Sequence, residues 1–333
     1  MDWNYFVALE NIYFAWKDFA NGKRENPDVV RFKSRLEDEL LSIQNDLRGQ
    51  TYRTGPYVPA IIHDPKKRLI HIPTVRDRVV HRMVYNAILP VFDRVWLDCS
   101  FSCRPEKGQH ASVERVSRAL NSATANYTRS CIALKCDIRK YFEHVDHGIL
   151  FRLLCRKVRC DEFQRLVWQI ISSFSSVAGR GIPLGNLTSQ IFANVYLHEL
   201  DIFVKHTRKT RWYFRYADDM LILDETRKKA LSVVRIMEQF LHERLRLQLH
   251  PDKTIVRNSS WGIDWLGQVL LPGYRVLRPV TRRRMMKRIE EGVNNIKNPE
   301  KLKGMLASYF GLMKPVAHTR MQEAIIQKVA LRR

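Results

Sequence analysis

The chain has 333 residues, and 57 Lys and Arg against 34 Asp and Glu give it a formal charge of +23. With 45% hydrophobic and 27% charged residues, it has the composition of a globular protein with room for about two domains, not of a disordered basic tail. A folded chain this basic repels itself unless a polyanion is near, which points to nucleic acid first and an anionic membrane second, and away from enzymes of neutral small molecules.

Asp2 stands where a secretory signal needs bases, and no apolar run follows it. No stretch reaches the roughly 18 uncharged apolar residues of a membrane span, so no membrane partner is expected. Six scattered cysteines do not make a disulfide framework. Their spacings, such as Cys99 to Cys103 and Cys131 to Cys136, include no tight zinc pair, so they read as buried thiols.

In chain order, Asn26-Pro27 opens a helix whose apolar face is Phe32, Leu36, Leu40, Ile43 and Leu47, ending near Gly49. Tyr57–Ile62 and Leu69–Ile72 read as a hairpin with a basic tip. Asp77–Phe92 has helical period. Cys131–Ile138 reads as a strand buried on both faces, with Asp137 near its end. Helices follow over Ile149–Lys157 and Glu162–Phe174, then a Gly-rich loop over 179–185 and a helix over Thr188–Val204. A hairpin turns at Tyr216-Ala217-Asp218-Asp219. After the helix Glu225–Leu245, two short strands are expected near Gln248 and Trp265. A basic helical tail is expected beyond Pro272-Gly273.

Asp137, Asp218 and Asp219 are the informative acids, because each lies at the end of an apolar strand, where an uncompensated charge is costly. Adjacent strand residues point to opposite faces, so Asp218 and Asp219 can aim together only at a turn. An oxygen-only cage of this kind suits Mg²⁺, and two ions about 4 Å apart support in-line phosphoryl or nucleotidyl transfer. Taken alone, the same residues also fit a plain hairpin turn and a helix cap. Other catalytic templates are missing: His198-Glu199 and His242-Glu243 lack the second His of a zincin helix, and there is no Gly-x-Ser-x-Gly and no P-loop.

Tyr216-Ala217-Asp218-Asp219 resembles the YxDD box of reverse transcriptases, and its neighbours follow in family order. Arg68-Leu69-Ile70-His71-Ile72-Pro73 with Asp77-Arg78 resembles the first fingers motif, and Ser100–Pro105 with Gly108 and His110 the second. Lys135–Phe142 resembles the first catalytic strand. Gly181–Gln190 with Asn194 resembles the loop and helix under the nucleotide, and Pro251–Thr254 and Trp265-Leu266-Gly267 the last two motifs. Leu184-Gly185-Asn186-Leu187-Thr188-Ser189-Gln190 departs from the usual Gln before the Gly and Ser-Pro at the end. In this it is similar to reverse transcriptases of diversity-generating retroelements.

The resemblance implies an α+β right-hand polymerase with fingers, an antiparallel-sheet palm and a short helical thumb. It implies N-terminal helices and fingers over 1–95, palm over 96–147, a fingers insertion over 148–185, the second palm part over 186–273 and thumb over 274–333. It implies that Asp137, Asp218 and the carbonyl of Ile138 ligate two Mg²⁺ ions, with Mn²⁺ able to substitute, and that Asp219 assists. Phe142 is implied as the steric gate against ribonucleotides. Lys66, Arg68, Leu184, Gly185, Gln190 and Lys253 fall around the nucleotide. Arg78 and Arg104, within the fingers motifs, are expected along the nucleic acid, as are Arg283, Arg284, Lys287 and Arg288, which stand in rows four apart beside the predicted helical stripe Met285, Ile289 and Val293.

The implied activity is RNA-directed DNA synthesis, error-prone at template adenines, making cDNA from a template-repeat RNA to diversify a variable gene. Its implied partners are template RNA, a primer, dNTPs and a small basic accessory variability protein, in the cytoplasm of a bacterium or a phage-infected cell. The chain ends after a thumb-sized tail, with no RNase H, maturase or endonuclease segment expected. Alternatives are a retron-like or group-II-like enzyme of phage defence, and an inactive RNA-binding polymerase relic.

Overall fold

The structure is a computed structural model that describes residues 2–63, 67–294, 299–313, 323 and 325. It is a mixed helix-and-sheet protein with antiparallel sheets. A two-stranded ribbon pairs β1 (Val58–Ile62) with β2 (Arg68–Ile72). A four-stranded sheet uses β3 (Ile132–Asp137), β4 (Trp212–Tyr216), β5 (Asp219–Asp224) and β6 (Ile255–Asn258) in the order β4-β5-β3-β6. A third sheet runs β7 (Ile263–Trp265), β8 (Gln268–Leu271), β9 (Tyr274–Leu277). No helix among the described residues is long and apolar enough to cross a membrane.

The chain divides into two compact units. The first comprises Met1–Gly108, Cys136–Met220 and Val233–Thr254. In it the helix Val75–Asp93 packs against the helices Leu9–Ala20 and Leu187–Ile202. Val79, Val80, Val84 and Ile88 are wholly buried in that packing. Thr74 caps the helix by accepting from the Asp77 N–H. Asp77 is itself buried, and its carboxylate accepts from the Tyr52 hydroxyl (2.6 Å), the Thr74 hydroxyl (2.6 Å) and the Gly55 N–H (3.1 Å). A charge so placed is tolerated because its lone pairs are satisfied.

The second unit comprises Gln109–Lys135, Leu221–Ser232 and Ile255–Arg333. Trp265 is fully buried and donates its indole N–H to Ser112 Oγ (2.9 Å) on the helix Gln109–Ala123. Met285, Ile289 and Val293 form the buried stripe of the helix Pro279–Asn294 and cluster with Leu277, Met313 and Ile325.

Three elements differ from the sequence expectation. The helix from Asn26 is two helices, Pro27–Lys33 and Leu36–Arg48. Ser34 Oγ donates back to the Arg31 carbonyl (2.9 Å), a local bond that competes with helix continuation, and Arg35 leaves helical geometry. The Asn26 side chain makes no cap bond. The segment after Gly273 starts as strand β9, not helix, because Pro272-Gly273 is the turn of a β8–β9 hairpin with Gly273 at φ +77°. Near Gln248 there is no strand, only an isolated bridge between Ile138 and Leu249.

Candidate active site

The hairpin β4–β5 supplies the first element of the site. Tyr216 ends one strand and Asp219 begins the next, leaving Ala217 and Asp218 as the turn. Ala217 takes φ +52°, and this left-handed residue reverses the chain and lifts Asp218 out of the strand alternation. Asp137 ends β3, which lies next to β5 in the sheet. The residues after Asp137 are tied down: its carbonyl accepts from the His250 N–H (2.8 Å), and the Arg139 N–H donates to the Gln248 carbonyl (2.9 Å). Ile138 between them is buried and bridged to Leu249.

Electrostatics show that the three carboxylates share one neighbourhood. Asp218 is pushed up from 3.8 to about 6, first by burial and then by the negative charges of Asp137 and Asp219. Asp137 Oδ2 meets the Lys253 ammonium at 3.0 Å. That ammonium also favours the charged form of Asp218. Among the described residues no three His, Cys, Asp or Glu side chains close around a common point. The donor set nevertheless fits a hard divalent cation: all oxygen, mutually repelling, and already drawing a cation to Asp137.

Of the other expected site residues, Phe142 is half-buried, its ring 5.4 Å from that of Tyr141, and its carbonyl accepts from the Ile182 N–H (2.8 Å). The loop bearing Leu184 and Gly185 runs beside β2. The His71 N–H donates to the Leu184 carbonyl (3.3 Å), and a Cβ on Gly185 would sit 3.4 Å from Ile70 Cβ. That is ordinary contact; it is the φ of +101° that suits glycine here. Gln190 is exposed, and its Oε1 accepts from the Cys103 thiol (3.4 Å). Arg68 is exposed at the start of β2, and Lys66 lies outside the described residues.

The expected nucleic-acid contacts divide. Arg283 and Lys287 are exposed on the helix Pro279–Asn294, and Arg284 and Arg288 on the same helix are half-buried. Arg78 pairs with Asp28 and stacks over Phe19 (5.1 Å). Arg104 is turned inward with 6% of its side chain exposed, pairing with Asp93 (2.6 Å) and donating to the carbonyls of Leu97 and Ser100. The sequence reading missed the buried ion pair Arg215–Asp201. Its signal was available, since an arginine inside the apolar run before Tyr216 needs an acid to accompany it.

A model of the reverse transcriptase (RNA-dependent DNA polymerase) family matches residues 62–270, and the chain belongs to that family. It is an enzyme of the RNA-directed DNA polymerase class. The chain is similar to protein YkfC of Escherichia coli (strain K12), 26% identical over 72% of this chain and 73% of YkfC. It is also similar to the group II intron-encoded protein LtrA of Lactococcus lactis subsp. cremoris, 23% identical over 79% of this chain. That match covers 54% of LtrA, so the chain spans about half of LtrA's length. Among solved structures it is similar to the telomerase of Candida albicans in complex with a telomeric RNA fragment, with TM-score 0.49 and 13% identity over 84% of this chain and 60% of that one. The apo telomerase of Candida tropicalis gives TM-score 0.48 and 11% identity over 70% of this chain and 59% of that one.

Proposed function

We propose that this chain copies a template-repeat RNA into error-prone cDNA for a diversity-generating retroelement. Asp137, Asp218 and the Ile138 carbonyl are its metal-holding groups, and Asp219 assists them. The observation that carries the polymerase reading is the cluster of three carboxylates: burial and then the charges of Asp137 and Asp219 lift Asp218 to about 6, and Lys253 pairs with Asp137 at 3.0 Å. Bound there, two Mg²⁺ ions supply activation of a primer 3′-hydroxyl and stabilisation of a leaving pyrophosphate. The chain's own residues orient and select. Arg68 and Lys66 clamp the triphosphate, Lys253 moves from Asp137 toward phosphate, and the half-buried Phe142 ring rejects a 2′-hydroxyl by bulk. Arg283, Arg284, Lys287 and Arg288 track the template–primer backbone, and a small basic accessory variability protein is the partner.

Infidelity is assigned to the loop that runs beside β2. An isobutyl group at Leu184 offers no hydrogen bond to the sugar or the templating pair, and discrimination falls when a site lacks polar groups that penalise mismatch. Sequencing cDNA made by wild type and Leu184→Gln tests this. The variant is expected to make at least threefold fewer errors opposite adenine, and equal adenine error rates would remove Leu184 from the account. Similarity to LtrA over most of the chain favours a second reading, a group-II-like enzyme. The same wild-type sequences decide between the two, because that enzyme would show no excess of errors at adenine.

A further inference from the structure

Directly behind the Ala217-Asp218 turn, the Arg215 guanidinium is buried with Asp201, both side chains at 0% exposure. Its five N–H groups all have acceptors. Nε donates to Asp201 Oδ1 (2.8 Å) and Nη2 to Asp201 Oδ2 (2.6 Å), a two-pronged grip that fixes the plane of the fork. The second Nη2 hydrogen goes to Ser100 Oγ (2.9 Å). Nη1 donates to Asn194 Oδ1 (3.1 Å) and to the carbonyl of Ala217 (3.1 Å).

The groups it touches come from separate segments. Asp201 and Asn194 lie on the helix Leu187–Ile202, whose first turn carries Gln190. Ser100 lies in the segment Cys99–Ser102, which is bonded to the backbone of Arg215 on both sides: the Arg215 N–H to the Cys99 carbonyl (2.7 Å) and the Phe101 N–H to the Arg215 carbonyl (3.1 Å). Asn194 in turn donates to the Ser102 carbonyl (2.6 Å), and the Tyr213 hydroxyl donates to Asp201 (3.0 Å).

The contact with Ala217 is the one that bears on the reaction. A non-glycine residue in the left-handed region is intrinsically unfavourable and persists where its surroundings hold it. The Ala217 carbonyl faces a charged donor whose own position is fixed by four other bonds. The next residue along the chain is Asp218.

We propose that Arg215 is a positioning residue. By holding the Ala217 carbonyl it keeps this residue left-handed and so fixes the backbone from which the Asp218 carboxylate projects beside Asp137. Asp201 and Asn194 serve to hold the fork itself. The proposal rests on the reading of Asp218 as a metal-holding acid. It adds that the geometry of this acid is set from a second helix and from the Cys99–Ser102 segment, through a single guanidinium.

The test compares full-length Arg215→Lys, Asp218→Ala and the double variant Arg215→Lys/Ala217→Gly in RNA-templated primer extension, with Mg²⁺ and separately Mn²⁺ titrated. Lysine keeps the charge but not the planar fork. Arg215→Lys is expected to lower kcat at least 30-fold, leave KM for dNTP within threefold, and raise the metal concentration for half-maximal rate at least fivefold. A purely structural ion pair would not move the metal requirement. Glycine visits the left-handed region freely, so Ala217→Gly in the Arg215→Lys background is expected to restore at least fivefold of the rate.

Where Arg215→Lys unfolds at the assay temperature by circular dichroism, Asn194→Ala replaces it. It strips Nη1 of its side-chain acceptor while leaving the Asp201 grip, and is expected to lower kcat fivefold with the same rise in metal requirement. An unchanged metal requirement in the folded variant overturns the proposal, as does Arg215→Lys with wild-type kcat or no rescue by glycine. Activity retained by Asp218→Ala instead overturns the underlying reading of the acids.

Discussion

Replacing Asp218 by Asn should stabilise the metal-free protein while abolishing synthesis. Asp218 stands at about 6, not 3.8, because it is buried beside Asp137 and Asp219. The folded chain therefore binds a proton more readily than the unfolded chain between about pH 4 and pH 6. The destabilisation is complete above pH 6 and is relieved as pH falls through that value. A rise of this size, at about 1.36 kcal/mol per pH unit, sets a ceiling near 3 kcal/mol. Asp218 keeps part of its surface in water, so solvent screening reduces the expected gain to about 1–2 kcal/mol, or a few degrees in Tm. Thermal or urea unfolding in chelator is the assay, run on wild type and Asp218→Asn at pH 8 and pH 4.5. The variant should be the more stable at pH 8, and its advantage should fall to about a third of that at pH 4.5. Equal stability at pH 8, or an advantage that grows with acidity, would refute the electrostatic reasoning.

Phe142→Ala should relax sugar selection. With the half-buried ring removed, the ratio of kcat/KM for dNTP over rNTP is expected to fall at least tenfold, read by single-nucleotide extension with each substrate. On the helix Pro279–Asn294, Arg283→Ala and Lys287→Ala should each weaken duplex binding without sequence preference and lower the salt slope, d log K against d log [salt], by about 1. A fluorescence titration across 50–300 mM salt measures this, and an unchanged slope would take that face off the nucleic acid. Of the pair, Lys287 is expected to give the smaller change, since it has Glu291 as a neighbour at 3.8 Å.

Much of this protein is legible in its sequence because local chemistry and tertiary role coincide. The hairpin β1–β2, the strand ending at Asp137 and the turn at Ala217-Asp218 are announced by apolar runs that end in polar or charged residues. The Met285, Ile289, Val293 stripe is announced by its spacing. Where local signals compete, reading fails. Ser34 supplies a side-chain bond that ends a helix the apolar period would continue. Strands β6 to β9 have only three or four residues each, too few for a period of two to stand out. Arg78 and Arg104 show the other limit. A base inside a motif looks the same in sequence whether it faces a phosphate or an aspartate. Only the fold reveals that Arg104 is bound to Asp93 and that Arg215 holds the carbonyl before Asp218.

The net charge of +23 is unevenly distributed. Acids gather at Asp137, Asp218 and Asp219, where a divalent cation would neutralise them. Exposed bases stand on the helix Pro279–Asn294 and at the start of β2. The most direct test of the account is RNA-templated primer extension with dNTPs and Mg²⁺, with and without the accessory protein, by wild type, Asp137→Ala and Asp218→Ala, each verified as folded. A metal-holding role for these acids predicts templated cDNA from wild type and at least a thousandfold loss in both variants. Extension by either variant at a rate near wild type would contradict it, as would a folded wild-type protein that makes no cDNA under either condition.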